Sequence, residues 1–121
     1  MSPILVVGSV AFDTLHNAQG SFPRVLGGSA VYASIAASLL SHVRLVGVVG
    51  DDYPESAQAM LRERGIDLTG LEVSPGETFH WEGRYTDDLT SRESIRTELN
   101  VFAEFQPKIP AAFAESPFVM L

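Results

Sequence analysis

Two short patterns near the N-terminus carry residue types that can bind a polar ligand. Asp13 closely follows an apolar run that ends at Gly8, and Gly27 and Gly28 precede a segment rich in alanine, serine and leucine. A carboxylate accepts hydrogen bonds from hydroxyl groups, so Asp13 suits a polyol or a sugar. Two glycines before a helix let the backbone approach a ligand closely, beside N–H groups that the helix leaves unpaired. Each pattern alone also fits an ordinary role, a turn or capping residue for Asp13 and a loop for the glycines.

A third pattern places aromatic side chains on one face of a strand. Phe79, Trp81 and Tyr85 recur at every second position of residues 79–85, apart from the glycine at position 83, and a period of two is that of a β-strand. The opposite face carries the polar side chains His80, Glu82 and Arg84. Aromatic rings on such a face either pack onto the protein core or cover a bound ligand, where they exclude water and stack on a sugar or a base.

Other nucleotide-binding and metal-binding patterns are missing from the sequence. Residues 8–13 (GSVAFD) contain one of the three glycines of the G-x-G-x-x-G dinucleotide pattern, and no G-x-x-x-x-G-K-[ST] motif occurs. The sequence has no cysteine, which excludes disulfides and thiolate metal sites. These patterns disfavour a Rossmann oxidoreductase and exclude a P-loop enzyme, and they indicate no metal site.

The elements that position the candidate residues follow from apolar runs. Residues 4–7 (ILVV) and 43–49 (VRLVGVV) are predicted to be strands buried on both faces, and each is followed by glycine. Between them, residues 30–40 are predicted to form a buried helix with Ser29 as its N-cap. Strand, helix and strand form a parallel βαβ unit. Asp13 then lies just beyond the carboxyl end of the first strand, where open α/β sheets bind ligands.

A second helix is predicted to begin at Pro54 and to stop at Gly65. The carboxylates of Asp51 and Asp52 precede it and are favourable to the helix dipole. One face of this helix carries Ala57, Met60, Leu61 and Arg64.

Two segments and the last residues do not fit a plain alternation of strands and helices. Residues 11–24 are polar with a turn signal at Gln19-Gly20, and residues 79–105 mix aromatic and polar side chains. We expect them to form a small antiparallel sheet inserted into the parallel core. The sequence ends within an apolar run, Phe118–Leu121. Because a parallel strand normally has neighbours and covering helices, we expect this chain to be part of a longer protein.

The net charge of the chain disfavours nucleic acid as a partner. Eight basic against fifteen acidic residues give a net charge of −7, which repels nucleic acid phosphates. The acidity also fits a surface that keeps a protein in solution. No apolar run approaches the roughly 20 residues that cross a bilayer. We therefore expect a cytoplasmic protein that binds neither nucleic acid nor membrane.

Several segments in this order resemble the ribokinase-like, or PfkB, family of carbohydrate and nucleoside kinases. They are residues 4–15 (ILVVGSVAFDTL), 27–30 (GGSA), 43–52 (VRLVGVVGDD) and 61–71 (LRERGIDLTGL), the last followed by a β segment with Thr78. The resemblance spans the chain, residues 1–121. It implies an α/β fold, a three-layer αβα core with a small β-sheet lid built from residues of about 11–24 and 78–105.

The resemblance also implies which residues touch the substrate. In this family the aspartate after the first strand and the double glycine hold substrate hydroxyls, and Asp13, Gly27 and Gly28 match them. Ser29 and Tyr32 complete the implied substrate site. Ribokinase-type members carry an asparagine where this chain has Tyr32, so the contacts to the substrate differ from those of ribokinase. The lid would place Phe79, Trp81 and Tyr85 over the substrate.

The catalytic half of the family is missing from the sequence. The G-A-G-D motif with the catalytic base does not occur in the 121 residues. The resemblance thus implies the substrate-binding N-terminal part of a kinase that transfers the γ-phosphoryl group of ATP to a hydroxyl of a sugar or nucleoside. The complete enzyme would use ATP and Mg²⁺, this chain alone would hold neither and be inactive, and two copies could pair through their lids. The alternative is a non-catalytic ligand-binding or regulatory α/β domain.

Overall fold

Two four-stranded sheets and two α-helices make up the computed structural model, which describes residues 3–86 and 90–121. Residues 1–2 of the predicted domain and residues 87–89 of the predicted lid segment lie outside the described residues. The strands are β1 (Ile4–Val7), β2 (Ala11–Asn17), β3 (Gly20–Gly27), β4 (Val43–Gly50), β5 (Ile66–Ser74), β6 (Phe79–Tyr85), β7 (Arg92–Glu98) and β8 (Phe118–Met120). The helices are α1 (Ser29–Ser38), α2 (Glu55–Glu63) and two short 3₁₀ helices, Asn100–Glu104 and Ala111–Phe113.

The first sheet is parallel throughout and has the order β5-β4-β1-β8. Strands β1 and β4 lie at its centre, which explains their continuous apolar sequences and confirms both predicted strands. The chain adds β4 and β5 on one side of β1 and returns to add β8 on the other. This reversal of direction at β1 creates a crevice at the carboxyl end of the strand, the usual ligand position of such sheets.

The core has one large and one small apolar cluster, on opposite faces of this sheet. Val6 and Leu45 pack with Val31 of α1 and Leu61 of α2 in the large cluster, so both α-helices cover the same face. On the other face, a smaller cluster is built around the buried ring of Phe113. The α/β core is therefore confirmed, with α-helices on one face and 3₁₀ segments on the other among the described residues.

Helix α1 begins differently from the prediction. Its N-cap is Gly28, with a φ of 96°, and Ser29 is the first helical residue, without a side-chain capping bond. Ser9 caps the helix instead, because its Oγ accepts the N–H of Ser29 (2.9 Å) and its carbonyl oxygen accepts the N–H of Ala30 (2.9 Å). The prediction of Ser29 as N-cap is wrong, since a neighbouring turn in space supplies the acceptors.

Helix α2 begins at Glu55, with Pro54 as N-cap, and ends before Gly65, whose φ of 80° confirms the predicted stop. Asp52, which precedes this helix, bonds to a different element. Its Oδ1 accepts the N–H (2.9 Å) and the hydroxyl (2.6 Å) of Thr78, and so fixes the start of β6.

The second sheet has the order β3-β2-β6-β7. Strands β2 and β3 form the predicted hairpin with its turn between Asn17 and Gly20, but the hairpin extends to Gly27. The prediction of an antiparallel sheet is wrong in one respect, because β2 and β6 pair in parallel. The chain passes through α1, β4, α2 and β5 before it forms β6, and such a crossover allows a parallel return. The segment 78–105 also includes a 3₁₀ helix, Asn100–Glu104.

No helix in residues 3–86 and 90–121 combines the length and the apolar character that a bilayer crossing requires.

Thr78 links the two sheets through buried hydrogen bonds. Its side chain is 1% exposed, donates to Asp52 and accepts the N–H of Gly50 at 2.9 Å. We expect Thr78→Val to lower the free energy of unfolding by about 1–3 kcal/mol, because it leaves the buried N–H of Gly50 without its acceptor and removes the hydroxyl donor to Asp52.

Thr69 offers a matched control. Its N–H and hydroxyl also donate to one aspartate oxygen, of Asp67, at 2.9 and 2.6 Å, but both residues are exposed. Thr69→Val should cost well under about 1 kcal/mol, since water replaces the bond. Urea denaturation of both variants measures the difference, and equal losses would contradict a structural role of Thr78 between the sheets.

Candidate functional site

A cleft of about 460 Å³ lies at the carboxyl end of β1, between the first turn of α1 and one face of the second sheet. Its lining residues are Ser9, Ala11, Asp13, Leu15, Gly28, Ser29, Tyr32, Phe79, Trp81, Tyr85 and Arg92. The structure thus brings together seven of the eight residues that the sequence singled out, although they come from β2, the turn at Gly28, α1 and β6. Gly27, the eighth, lies directly behind Asp13.

Gly27 has a steric role that the sequence did not reveal. It pairs with Ala11 across the β2–β3 hairpin and is buried. A Cβ atom at this position would collide with the carboxylate of Asp13. Gly27 therefore makes room for the Asp13 side chain, whereas the sequence suggested that its backbone approaches a ligand.

Asp13 is half-buried and holds one described hydrogen bond. The hydroxyl of Tyr32 donates to its Oδ2 at 3.2 Å, and residues 3–86 and 90–121 supply no further hydrogen bond to the carboxylate. Burial raises the pKa of Asp13 above its usual value, while the Tyr32 bond and the charges of His80 and Arg92 act in the opposite direction. Burial also raises the pKa of Tyr32, and the adjacent Asp13 charge adds to it. Oδ1 of Asp13 is available to accept a ligand hydroxyl.

The turn below Asp13 supplies two further polar groups. This turn requires glycine at position 28, because φ is positive there and a Cβ atom would strike the carbonyl oxygen of Ser9. The hydroxyls of Ser9 and Ser29 share a hydrogen bond of 3.1 Å at the edge of the cleft. Ser9 was not singled out from the sequence, although a serine directly after a strand-ending glycine is a signal that could have found it.

Trp81 and Tyr85 form an aromatic wall on the opposite side of the cleft. Their ring centroids lie 6.4 Å apart in an edge-to-face arrangement. The Trp81 ring lies across Gly83, where a Cβ atom would overlap it, and its Nε1 donates to Ser94 Oγ at 3.1 Å. Phe79 differs, because its ring also stacks on Phe102 at 5.3 Å. Neither Trp81 nor Tyr85 belongs to the described apolar clusters of the core.

The other face of the second sheet holds a polar network, as the period of two predicts. Thr14 Oγ1 and His80 Nε2 lie 2.7 Å apart, and His16 Nε2 lies 2.6 Å from Glu82 Oε2. The hydrogen bond with His16 lowers the pKa of Glu82. These side chains connect β2 to β6 and point away from the cleft.

A second cleft of about 440 Å³ lies between β5 and the residues around the first 3₁₀ helix. It contains none of the residues that the sequence singled out. Of its three charged lining residues, Glu72 and Lys108 pair with each other at 3.4 Å, and Glu104 is the third. We therefore take the cleft around Asp13 as the candidate site, since it combines a carboxylate, a helix start and an aromatic wall at the switch point of the sheet.

No family model matches the chain. A cytidine kinase of Thermococcus kodakarensis is 33% identical to it over 90 residues, which are 73% of this chain and 32% of the relative.

Many solved structures share its fold, among them the following three. A ribokinase from Cryptococcus neoformans var. grubii serotype A matches 98% of this chain and 41% of its own, with a TM-score of 0.79 and 20% identity. The nucleoside kinase of Burkholderia thailandensis, solved with inosine, matches 80% and 35%, with a TM-score of 0.71 and 17% identity. A nucleoside kinase of Methanocaldococcus jannaschii, described as an archaeal member of the ribokinase family, matches 83% and 38%, with a TM-score of 0.65 and 18% identity. The ribokinase-like fold predicted from the sequence is confirmed, and the chain spans about a third to two fifths of the length of these proteins.

The hydrogen bond from Tyr32 lowers the pKa of Asp13, and this effect can be tested. We expect Tyr32→Phe to raise the pKa of Asp13 further, because the variant removes the donor that favours the ionised carboxylate. A pH titration of the Asp13 carboxyl carbon by NMR measures the shift. Tyr53→Phe is the control, since the Tyr53 hydroxyl is buried without a partner among the described residues. An unchanged or lower pKa in Tyr32→Phe would contradict the bond.

Proposed function

This chain is related to the ribokinase-like kinases, and we propose that it forms the substrate-binding N-terminal part of one of them. In the proposed reaction, the complete enzyme transfers the γ-phosphoryl group of ATP to a hydroxyl of a sugar or a nucleoside. The observation that carries the proposal is the meeting of Asp13, the Gly27-Gly28 turn and the aromatic wall in one cleft at the end of β1.

The proposed contribution of this chain is to bind and orient the acceptor. Phosphoryl transfer depends mainly on positioning and on stabilising the charge of the transferred group. Asp13, held by Tyr32 and given room by Gly27, would accept a hydrogen bond from a substrate hydroxyl and fix its direction. The hydroxyls of Ser9 and Ser29 lie beside it as further partners.

The remaining machinery is proposed to lie in a segment outside the 121 residues. The sequence has no G-A-G-D motif, so we assign the catalytic base and the ATP site to that segment and expect the 121-residue chain alone to be inactive. Residues 3–86 and 90–121 contain no group of three or more His, Asp or Glu side chains placed to hold a metal ion. We therefore assign no Mg²⁺ ligand to this chain.

The second sheet is the proposed lid over the substrate. It is built from the hairpin of β2 and β3, which contains residues 11–24, and from β6 and β7 in the segment 78–105. Trp81 and Tyr85 present their rings to the cleft from this sheet. We also propose a cytoplasmic location and pairing of two copies through the lid, with no nucleic acid partner. The outer strands of the lid sheet, β3 and β7, have free edges among the described strands that suit such pairing.

Phosphoryl transfer by the longest reading frame that contains this chain is the direct test of the reaction. The assay uses ATP with a panel of sugars and nucleosides. Transfer to an acceptor, with its loss in Asp13→Asn, is the expected result. Binding of the same acceptors without transfer would instead support the non-catalytic ligand-binding domain, which the lack of G-A-G-D in these 121 residues also fits.

We expect Asp13→Asn to weaken acceptor binding without lowering the stability of the fold. We expect acceptor binding to weaken about ten- to a hundred-fold, because a charge-assisted hydrogen bond of about 1.5–3 kcal/mol is lost. The melting temperature at neutral pH should stay equal or rise. Burial raises the pKa of Asp13, so the folded state binds its proton more tightly than the unfolded state. The ionised form therefore opposes folding above both pKa values.

Asp67→Asn is the matched control for that variant. Asp67 is exposed, and hydrogen bonds from Thr69 lower its pKa. Its replacement should leave acceptor binding unchanged and should not raise the melting temperature. Isothermal titration calorimetry and thermal denaturation give the two readouts. Full acceptor binding by Asp13→Asn would remove Asp13 from the site.

A further inference from the structure

A β-bulge in the second sheet places two arginines of β7 on opposite faces. Ser94 pairs with Gly83 and Arg96 pairs with Glu82, so Ile95 is an extra residue on β7. Such a bulge changes the face to which the following side chains point. Ser94 lies on the cleft side, where it accepts the Trp81 N–H, whereas Arg96 lies on the outer side, 3.4 Å from Glu82 Oε1. Arg92 shares the cleft side with Ser94 and lines the cleft.

Among the described residues, the Arg92 guanidinium contacts an aromatic ring and no carboxylate. It lies 5.5 Å from the centroid of the Trp81 ring. Within the described ranges, 3–86 and 90–121, it makes no hydrogen bond or ion pair, whereas Arg24, Arg62 and Arg96 each pair with a carboxylate. An arginine that stacks on an indole keeps its planar set of N–H donors available for a ligand.

The cleft therefore has two chemically distinct ends. Asp13 and the two serine hydroxyls form an end that suits hydroxyl groups. Trp81, Tyr85 and Arg92 form an end with flat apolar rings and N–H donors, which suits a planar ring that carries an oxygen acceptor. A negatively charged ligand is disfavoured, because the carboxylate of Asp13 lies in the same cleft and the chain has a net charge of −7.

We propose that Arg92 is a specificity-determining residue that selects a neutral nucleoside over a free sugar. Its guanidinium donates hydrogen bonds to a carbonyl oxygen of a base that lies against Trp81 and Tyr85, while the ribose hydroxyls reach Asp13. This inference rests on the proposed function, because it assigns the acceptor of the same cleft.

Three probes and two main variants test the inference in the 121-residue chain. The probes are cytidine, which has a base carbonyl, ribose, which has no base, and gluconate, which has a negative charge. Calorimetry measures each affinity, and the fluorescence of Trp81, the single tryptophan, reports contact with the base. We expect cytidine to bind more tightly than ribose and gluconate and to alter the Trp81 emission.

Arg92→Gln should weaken cytidine about ten- to a hundred-fold and leave ribose unchanged, because only the base contact is lost. Arg92→Lys should have an intermediate effect, since it keeps the charge but loses the planar donors. Arg96→Gln is the control. It lies on the same strand and its pairs with Glu82 and Glu98 are on the outer face, so it should change no affinity. Thermal denaturation of each variant checks that the fold is kept.

The outcomes separate this inference from the proposed function. If cytidine binds and Asp13→Asn weakens it, but Arg92→Gln does not, the role of Arg92 is wrong and the substrate site stands. Loss of gluconate binding alone in Arg92→Gln would overturn the nucleoside in favour of an acidic sugar. Failure of the unaltered chain to bind any of the three probes would contradict the proposed function and this inference together.

Discussion

Ser9 accepts two consecutive backbone N–H groups at the start of α1, one with its side chain and one with its carbonyl oxygen. This contact joins the end of β1 to the helix, and it requires Gly28 because a larger residue would strike the Ser9 carbonyl. The helix start in turn places Tyr32 one turn later, within hydrogen-bonding distance of Asp13. The position of the carboxylate therefore depends on a short turn in which backbone atoms approach closely.

Two aspartates show how the same side chain serves different purposes in this fold. Asp52 is partly desolvated, which raises its pKa, but bonds from Thr78 and Arg24 outweigh this effect and lower the pKa overall. Asp13 has a single bond, from Tyr32, and desolvation prevails. A partly buried carboxylate that accepts too few hydrogen bonds to offset its loss of water destabilises the folded state. That cost is expected where a group is kept for a ligand, whereas Asp52 is satisfied within the structure.

Local sequence patterns predicted the strands in which burial is either continuous or strictly alternating along the chain. Strands β1 and β4 are buried on both faces, so their apolar runs identified them, and the alternation of residues 79–85 gave the two faces of β6 correctly. Strand β5 was missed, because its buried and exposed residues alternate only over residues 66–69, before its register against β4 shifts. The parallel pairing of β2 with β6 depends on the crossover between them, and no local pattern encodes it.

For the candidate site, the residue types on β2 and β6 were sufficient to single out Asp13 and the aromatic wall, and the family resemblance added Tyr32. The steric role of Gly27 could not be predicted in this way, since the collision that it avoids is with a residue on the neighbouring strand. Arg92 was missed because the bulge at Ile95 breaks the alternation of β7, so no single period assigns the side chains of this strand to the two faces of the sheet.

The second sheet packs against the core at one end only, so the two ends of the cleft differ in how firmly they are held. At its base, Phe12 is buried and stacks on Tyr53 with ring centroids 5.5 Å apart, and Thr78 is bound to Asp52. Burial decreases along β2 and β3 towards the exposed turn around Gly20. Movement of the far end therefore breaks few buried contacts, whereas movement of the base would break the core. Asp13 lies near the fixed base, so its position relative to the turn at Gly28 is maintained. Tyr85 and Arg92 pair at the opposite end of β6, where the sheet can adjust its position relative to the cleft.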